Sequence, residues 1–306
     1  IFPLFLFIAG VSFPYSVAKQ RAGGMSEGRI YAKIVRRGLT LVVLGMVYNG
    51  LFKLDFENLR IASVLGRIGL AWSIAAVLYL NFGVKTRAAI AVAVLAGYGA
   101  LSALVAAPDA AGAGPLTFEG NLAGYIDRQF LPGKLIYGSF DPEGLLSTVP
   151  AVVTAMLGMF TGEFVRRGDI RGGRKTLWMA AAAAALLAAG LAFSGVLPVN
   201  KKLWSSTFVC VVGAYSLGMF ALFYYLIDVR GWRRWTLFFR VVGLNSITIY
   251  LAQRIVGFGR ISDFFLGGIA SKCPEAVAAV ISSAGYVAVC WLFLYFLYRK
   301  NVFLKV

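Results

Sequence analysis

The chain has 306 residues, 59% of them hydrophobic and 14% charged, with 30 basic residues against 13 acidic ones and a net charge of +17. A mean hydropathy of +0.78 excludes a soluble domain of this length, which would need far more polar surface, and describes a chain whose natural solvent is a bilayer. Histidine is absent, which excludes a histidine base or nucleophile and most transition-metal sites within these residues, so no metal is expected.

Apolar stretches at about 1–16, 38–53, 61–82, 88–106, 146–165, 176–197, 204–228, 238–256 and 276–298 each approach the ~20 residues that cross ~30 Å of hydrocarbon. They must be helices, because a lone strand or loop in lipid leaves its backbone amides unpaired. The expected fold is therefore all-α, a polytopic integral membrane helical bundle of about nine transmembrane helices, with one domain over 1–306 and no soluble module. The first stretch starts at Ile1 without a Met, a basic leader or a cleavage site, so the sequence reads as continuing upstream.

At the start of the third stretch, Arg60 and Arg67 share a helical face and stand ~10 Å apart along the axis. Arg60 reads equally well as a side chain that snorkels to the headgroups. Arg67 lies deep enough to need an anion, either Asp141 or Glu143 or a bound phosphate. The longest connection, about 107–145, opens as an Ala/Gly/Pro spacer and then turns polar and aromatic, with Asp127, Arg128, Lys134, Asp141 and Glu143 crowded before a helix expected from Leu145. Asp141 and Glu143 read either as helix caps or as a pair that orients an amine and takes its proton.

Ala180 to Ala185 reads as a close helix-packing face. Lys201, Lys202 and Trp204 open the seventh stretch, as interfacial anchors or as an anion-binding mouth. In the eighth, Asn245 is an amide inside a span that must find partners, in a neighbouring helix or at a site. Cys210, Cys273 and Cys290 give no disulfide framework and no metal spacing.

Basic residues gather in alternate connections, from Lys19 to Arg37, at Lys85 and Arg87, from Arg166 to Lys175, from Arg230 to Arg240 and from Arg299 to Lys305. The other connections hold most of the acidic residues, including Asp55, Glu57, Asp127, Asp141 and Glu143. The positive-inside rule then puts Ile1 outside and Val306 in the cytoplasm. The positive charge serves topology and anionic lipid rather than nucleic acid, since no basic stretch is interleaved with aromatics on a soluble module.

Several segments taken together resemble a known family. They are Gly124-Tyr125-Ile126-Asp127-Arg128, Asp141-Pro142-Glu143-Gly144-Leu145-Leu146, Pro198-Val199-Asn200-Lys201-Lys202-Leu203-Trp204-Ser205 and Gly243-Leu244-Asn245-Ser246-Ile247, with Leu59-Arg60-Ile61, Leu65-Gly66-Arg67-Ile68 and the opening Ile1 to Gly10. In this order they resemble the heparan-α-glucosaminide N-acetyltransferase family and its bacterial relatives, over most of the chain. The resemblance implies an acetyltransferase of the bacterial inner membrane, which passes an acetyl group from cytosolic acetyl-CoA to the amine of a glucosamine-type sugar on the outer, periplasmic side.

For the residues, the resemblance implies that Asn245 donates to the oxyanion while Asp141 and Glu143 serve the amine. Arg67, Arg240, Lys201 and Lys202 are the candidates for the CoA phosphates, and Asp127, Arg128 and Trp204 for the sugar. The family's catalytic His precedes the helix that starts here at Ile1, so a further helix and a His-bearing loop are expected upstream. Gln253-Arg254 stand where family members can carry a His-Glu pair. Expected partners are the amino sugar, membrane lipid and a second copy in a homodimer. An O-acyltransferase acting on a cell-surface glycan would use a similar cavity, and a sugar or anion transporter would also place polar residues within spans. No internal repeat supports the transporter.

Overall fold

The computed structural model of the chain describes residues 2–304. Ile1, the expected start of the first span, Lys305, one of the basic residues used for orientation, and Val306, the expected cytoplasmic end, lie outside the described residues. The named elements among the described residues are all helical, as the all-α reading requires. Two compact units form, Ile1–Gly231 and Trp232–Val306.

In the first unit the long helices are α1 (Phe2–Ala22), α2 (Glu27–Tyr48), α3 (Val64–Asn81), α4 (Val84–Leu104), α6 (Leu145–Arg166), α7 (Gly172–Ala192) and α8 (Ser206–Tyr224), with the short α5 (Leu122–Phe130) inside the long connection. Successive long helices run in opposite directions. The starts of α1, α3, α6 and α8 share one end with the 107–145 connection, which is hereafter the clamp end. The basic connections share the other. Polar residues begin these helices as their unpaired N–H groups demand: Ser63 accepts from the Gly66 N–H (2.9 Å), Asn121 from Gly124 (2.6 Å) and Ser205 from Phe208 (3.3 Å).

The most enclosed long helix is α6, with 72% of its apolar window buried. It is reached closely by α1 because Gly10, Gly158 and Gly162 remove side chains from the crossing. A Cβ on Gly158 would strike the Phe7 carbonyl, so the Gly158-x-x-x-Gly162 spacing works here as a backbone-contact face. Ala183 and Met179 are the buried side of α7, and Gly190 sits against Thr207 and Cys210 of α8. Of the expected packing face Ala180 to Ala185, only Ala183 is buried and the other five alanines are exposed, so α7 packs through Met179, Ala183 and Gly190 rather than through the run as a whole. At the basic end, Arg87 of α4 pairs with Glu163 of α6 (2.8 Å), and Lys175 donates to the Val165 carbonyl (2.7 Å) at the end of α6, where a helix favours a cation.

In the second unit, α9 (Leu237–Leu244) and α10 (Ser246–Ile255) meet at a 61° bend, followed by α11 (Phe258–Ala270) and α12 (Glu275–Arg299). The straight span expected over 238–256 is thus broken at Asn245, whose N–H turns to the Val242 carbonyl three residues back. The stretch 257–275, expected as a connection, contains a helix whose Ser262 and Leu266 meet Gly285 of α12.

Seven helices are long and apolar enough to cross a membrane among the described residues, or eight if the bent pair is one span. The second stretch, 38–53, is not among them: it is the apolar end of α2 and the short turn that follows it. That helix begins among Arg29, Lys33, Arg36 and Arg37 and ends at Tyr48, so its charged half lowers its hydropathy.

Candidate active site

The segment before α3 is pinned on both flanks. Asn49 donates to the carbonyls of Arg60 (2.7 Å) and Ala62 (2.8 Å), and the Lys134 N–H donates to the Leu59 carbonyl (3.1 Å), forming an isolated bridge between Arg60 and Gly133. Arg60 is thereby aimed at the residues before α6. Its Nε and Nη2 donate to Asp141 Oδ2 (2.7 Å) and Oδ1 (2.6 Å), a bidentate pair, and Nη2 also reaches Glu143. Burial opposes the Arg60 charge, but the bonds and charges of Asp141 and Glu143 outweigh it and raise the Arg60 pKa.

Asp141 is fully buried and also accepts from the N–H groups of Ile136 (3.3 Å) and Glu143 (2.9 Å). Its acceptor capacity is spent inside the protein. The Glu143 carboxylate meets only Arg60 among the described residues and lines a cavity.

Helix α6 is capped from α5. Both oxygens of Asp127 are taken by backbone, Oδ2 by the Asp141 N–H (3.2 Å) and Oδ1 by the Leu145 N–H (2.9 Å). Gly144, at the cap position, has no side chain to offer, and a Cβ there would collide with this carboxylate. Burial pushes the Asp127 pKa up to about 6, against the pull of the two N–H groups. Arg128 on the same helix pairs with Asp109 (2.6 Å) and reaches the Ser139 carbonyl.

Arg60 stands ahead of α3, at the bridge, and not on one helical face with Arg67 as expected; Arg67, in the first turn of α3, is 2% exposed. Its Nη2 donates to Ser147 of α6, its guanidinium lies 4.9 Å from the ring centre of Trp204, and Nε and Nη1 have no hydrogen-bond partner among the described residues. Trp204 is equally enclosed, and its indole N–H is also unpartnered. Its φ of +51° is a left-handed conformation that a bulky aromatic residue rarely adopts. The turn that imposes it is well held: Asn200 Oδ1 accepts from the Lys202 N–H (2.8 Å), Tyr98 of α4 donates to the Leu203 carbonyl, and Ser205 caps α8.

The cavity that Arg67 and Glu143 share has a volume of about 380 Å³, within the range of small-molecule sites. Its walls descend α3 through Leu70 and Ile74 to Leu78, and α6 through Thr148 and Val152 to Met156. Gly66 to Leu78 corresponds to about 18 Å of helix. The result is a slot with charged groups at its head and apolar walls below.

The other expected residues stand elsewhere. Lys202 is held 4.6 Å from Phe118 and 4.4 Å from Tyr137, two rings that stack with Phe140 in the long connection, while Lys201 is exposed. Asn245 and Arg240 belong to the second unit. Asn245 is buried at the bend, accepts from Thr248 (3.2 Å) and leaves its Nδ2 unpartnered among the described residues. Arg240 bonds the Tyr298 hydroxyl. Among the described residues no group of His, Cys, Asp or Glu is arranged to hold a metal ion.

Ser147 and Tyr98 support this site and are not among the site residues expected from the sequence, although Ser147 falls in the polar stretch around Asp141 and Glu143. Ser147 sits one turn past Glu143, a spacing that points at the same end of α6; Tyr98 carries no such signal.

No family model matches the chain. Among curated proteins it is 27% identical over 363 residues to the heparan-alpha-glucosaminide N-acetyltransferase of Homo sapiens and 25% identical over 360 residues to that of Mus musculus. The chain is similar along its whole length to these two proteins. Each alignment covers 100% of this chain and 54% of the relative, so the chain spans about half the length of the curated relatives it matches. The family resemblance carried by the Arg60, Arg67, Asp141 and Trp204 segments is therefore borne out by full-length similarity.

Proposed function

We propose that this chain is the membrane-embedded part of an N-acetyltransferase. It takes acetyl from acetyl-CoA supplied at the basic, cytoplasmic end and passes it to the amine of a glucosamine-type sugar at the clamp end, on the periplasmic side of a bacterial inner membrane, with the C-terminus in the cytoplasm. The carrying observation is the slot, whose head holds Arg67 and Glu143 while its walls are apolar. Apolar walls suit an acyl-bearing arm, and a polar head suits the amine that receives it. The curated relatives are named for acetyl transfer to a glucosaminide, which supports the same reading.

An amine must be neutral to attack a thioester, so a base is required near the head of the slot. Glu143 fits that task better than Asp141, because its carboxylate has a single side-chain partner and faces the cavity. Asp141 holds Arg60, and Arg60 holds Glu143.

The test is transfer of labelled acetyl from acetyl-CoA to glucosamine by the full-length protein in lipid nanodiscs, with N-acetylglucosamine as an alternative acceptor that has only hydroxyls to offer. Acetylated amine is expected. Labelling of N-acetylglucosamine alone would replace the reading by O-acyl transfer, and movement of unmodified sugar would replace it by transport. For orientation, single cysteines in a background without native ones should react with a membrane-impermeant reagent at 107–140 and stay protected at 166–175 in intact cells. The reverse pattern overturns the sidedness.

A further inference from the structure

We infer that Arg67 and Trp204 form the receptor for the carbonyl oxygen of the acyl group being transferred, an inference that rests on the acetyl-transfer reading above. Three N–H groups, Nε and Nη1 of Arg67 and Nε1 of Trp204, are buried and unpartnered among the described residues, in side chains that stack with the guanidinium carbon 4.9 Å from the ring centre. Buried donors are normally satisfied, and a buried cation without a counter-ion is costly enough that its persistence calls for a ligand. The left-handed Trp204 points the same way, since backbone strain held by a well-bonded turn concentrates at functional positions.

The chemistry of the surroundings selects the ligand. Phosphate groups bring several negative charges to an end of the unit that already carries Asp127, Asp141 and Glu143, with one enclosed guanidinium to receive them. A free carboxylate is also disfavoured: two are at hand, and both go to Arg60. A neutral carbonyl oxygen that becomes negative only during reaction fits a site with strong donors and no standing anion. Arg67 and Glu143 line the same cavity, which brings the Arg67 half of the receptor and the base to one space, while Trp204 stacks on Arg67 from outside that lining.

In the step this implies, the amine nitrogen bonds to the acetyl carbon and the C=O π pair moves onto oxygen, where Arg67 and Trp204 hold it. The pair then returns, the C–S bond breaks, and sulfur leaves with its electrons. The proton lost by nitrogen passes through Glu143 to that sulfur. No further reactant is consumed.

The experiment uses the full-length protein and compares Arg67→Met, Arg67→Lys and Trp204→Phe with the parent in kcat, in KM for acetyl-CoA and in calorimetric binding of CoA, which lacks the acetyl carbonyl. Folding is monitored by thermal unfolding. Arg67→Met should lower kcat ~10²–10³-fold, the loss typical of one oxyanion donor, with partial recovery in Arg67→Lys and a smaller loss in Trp204→Phe. CoA binding should be unchanged in all three. Unchanged kcat in folded Arg67→Met and Trp204→Phe overturns the inference, as does a loss that appears in CoA affinity, which would make Arg67 a phosphate ligand. If the parent binds acetyl-CoA but acetylates no amine, the underlying reading fails instead.

Discussion

At Arg60 the Nε and Nη2 groups of the guanidinium meet two carboxylates; at Arg67, seven residues on and inside α3, one hydroxyl and one indole face stand against a cation with no carboxylate in hydrogen-bond contact among the described residues. Asp141 is spent on the first site, although the sequence reading offers it, or Glu143, to Arg67 and leaves Arg60 to the headgroups. The two regions teach that charge at this end is allocated, not merely neutralised. The clamp fastens the 107–145 connection over α3 and α6 and so contributes to folding, whereas the pocket beneath it keeps a charge and three donors unused. On the proposed reading, stability falls to Arg60 and function to Arg67, two arginines seven residues apart.

Substitution of the two arginines by the same apolar residue gives the largest contrast. Arg60→Met leaves Asp141 buried with no counter-ion, and breaking such a pair costs ~3–5 kcal/mol, so the variant should unfold early or fail to accumulate. Arg67→Met removes an unpaired buried charge and should instead be stabilising by ~1 kcal/mol or more, while transfer is lost. Thermal unfolding of both variants in detergent decides the matter. Two destabilised proteins would mean that Arg67 is also structural.

The carboxylates divide the same way on a smaller scale. Glu143→Gln should fold normally and lose ~10²-fold in turnover, as removal of a general base does. Asp141→Asn should be the less stable of the two, because it loosens a bidentate pair. Equal turnover and equal unfolding in these two variants would erase the distinction drawn between them.

Much of this was legible in the sequence. Apolar stretches of spanning length gave the helical class, and the polar residues at 60, 67, 141 and 143 were marked as meeting at one end, because few such groups occur in so apolar a chain. Their partnership was not legible. Whether Asp141 reaches Arg60 or Arg67 depends on the bridge that sets Arg60 beside Gly133, and on the cap that Asp127 supplies across 18 residues of chain. The left-handed Trp204 was hidden as well, since nothing in Lys202-Leu203-Trp204 signals positive φ. The break at Asn245 escaped for the opposite reason: α9 and α10 are apolar on both sides of it, and hydropathy reads through a bend.

The cap itself provides the smallest and cleanest test of how the clamp end is built. Asp127 titrates at about 6 in the folded protein because burial disfavours its charge, against 3.8 when free. The native state therefore holds this proton more tightly than the unfolded chain does. The contribution is fully present below about pH 4 and is lost as pH rises through 6. With no histidine in the chain, little else titrates in that window. Between pH 5 and 7.5 the unfolding temperature should fall, by roughly 2–4 °C for each kcal/mol involved. Asp127→Asn keeps an oxygen to accept the Leu145 N–H but has no proton to lose, so its unfolding temperature should be flat over the same interval. A flat parent curve, or an equal slope in the variant, would place the titrating group elsewhere and leave Asp127 charged beneath the clamp.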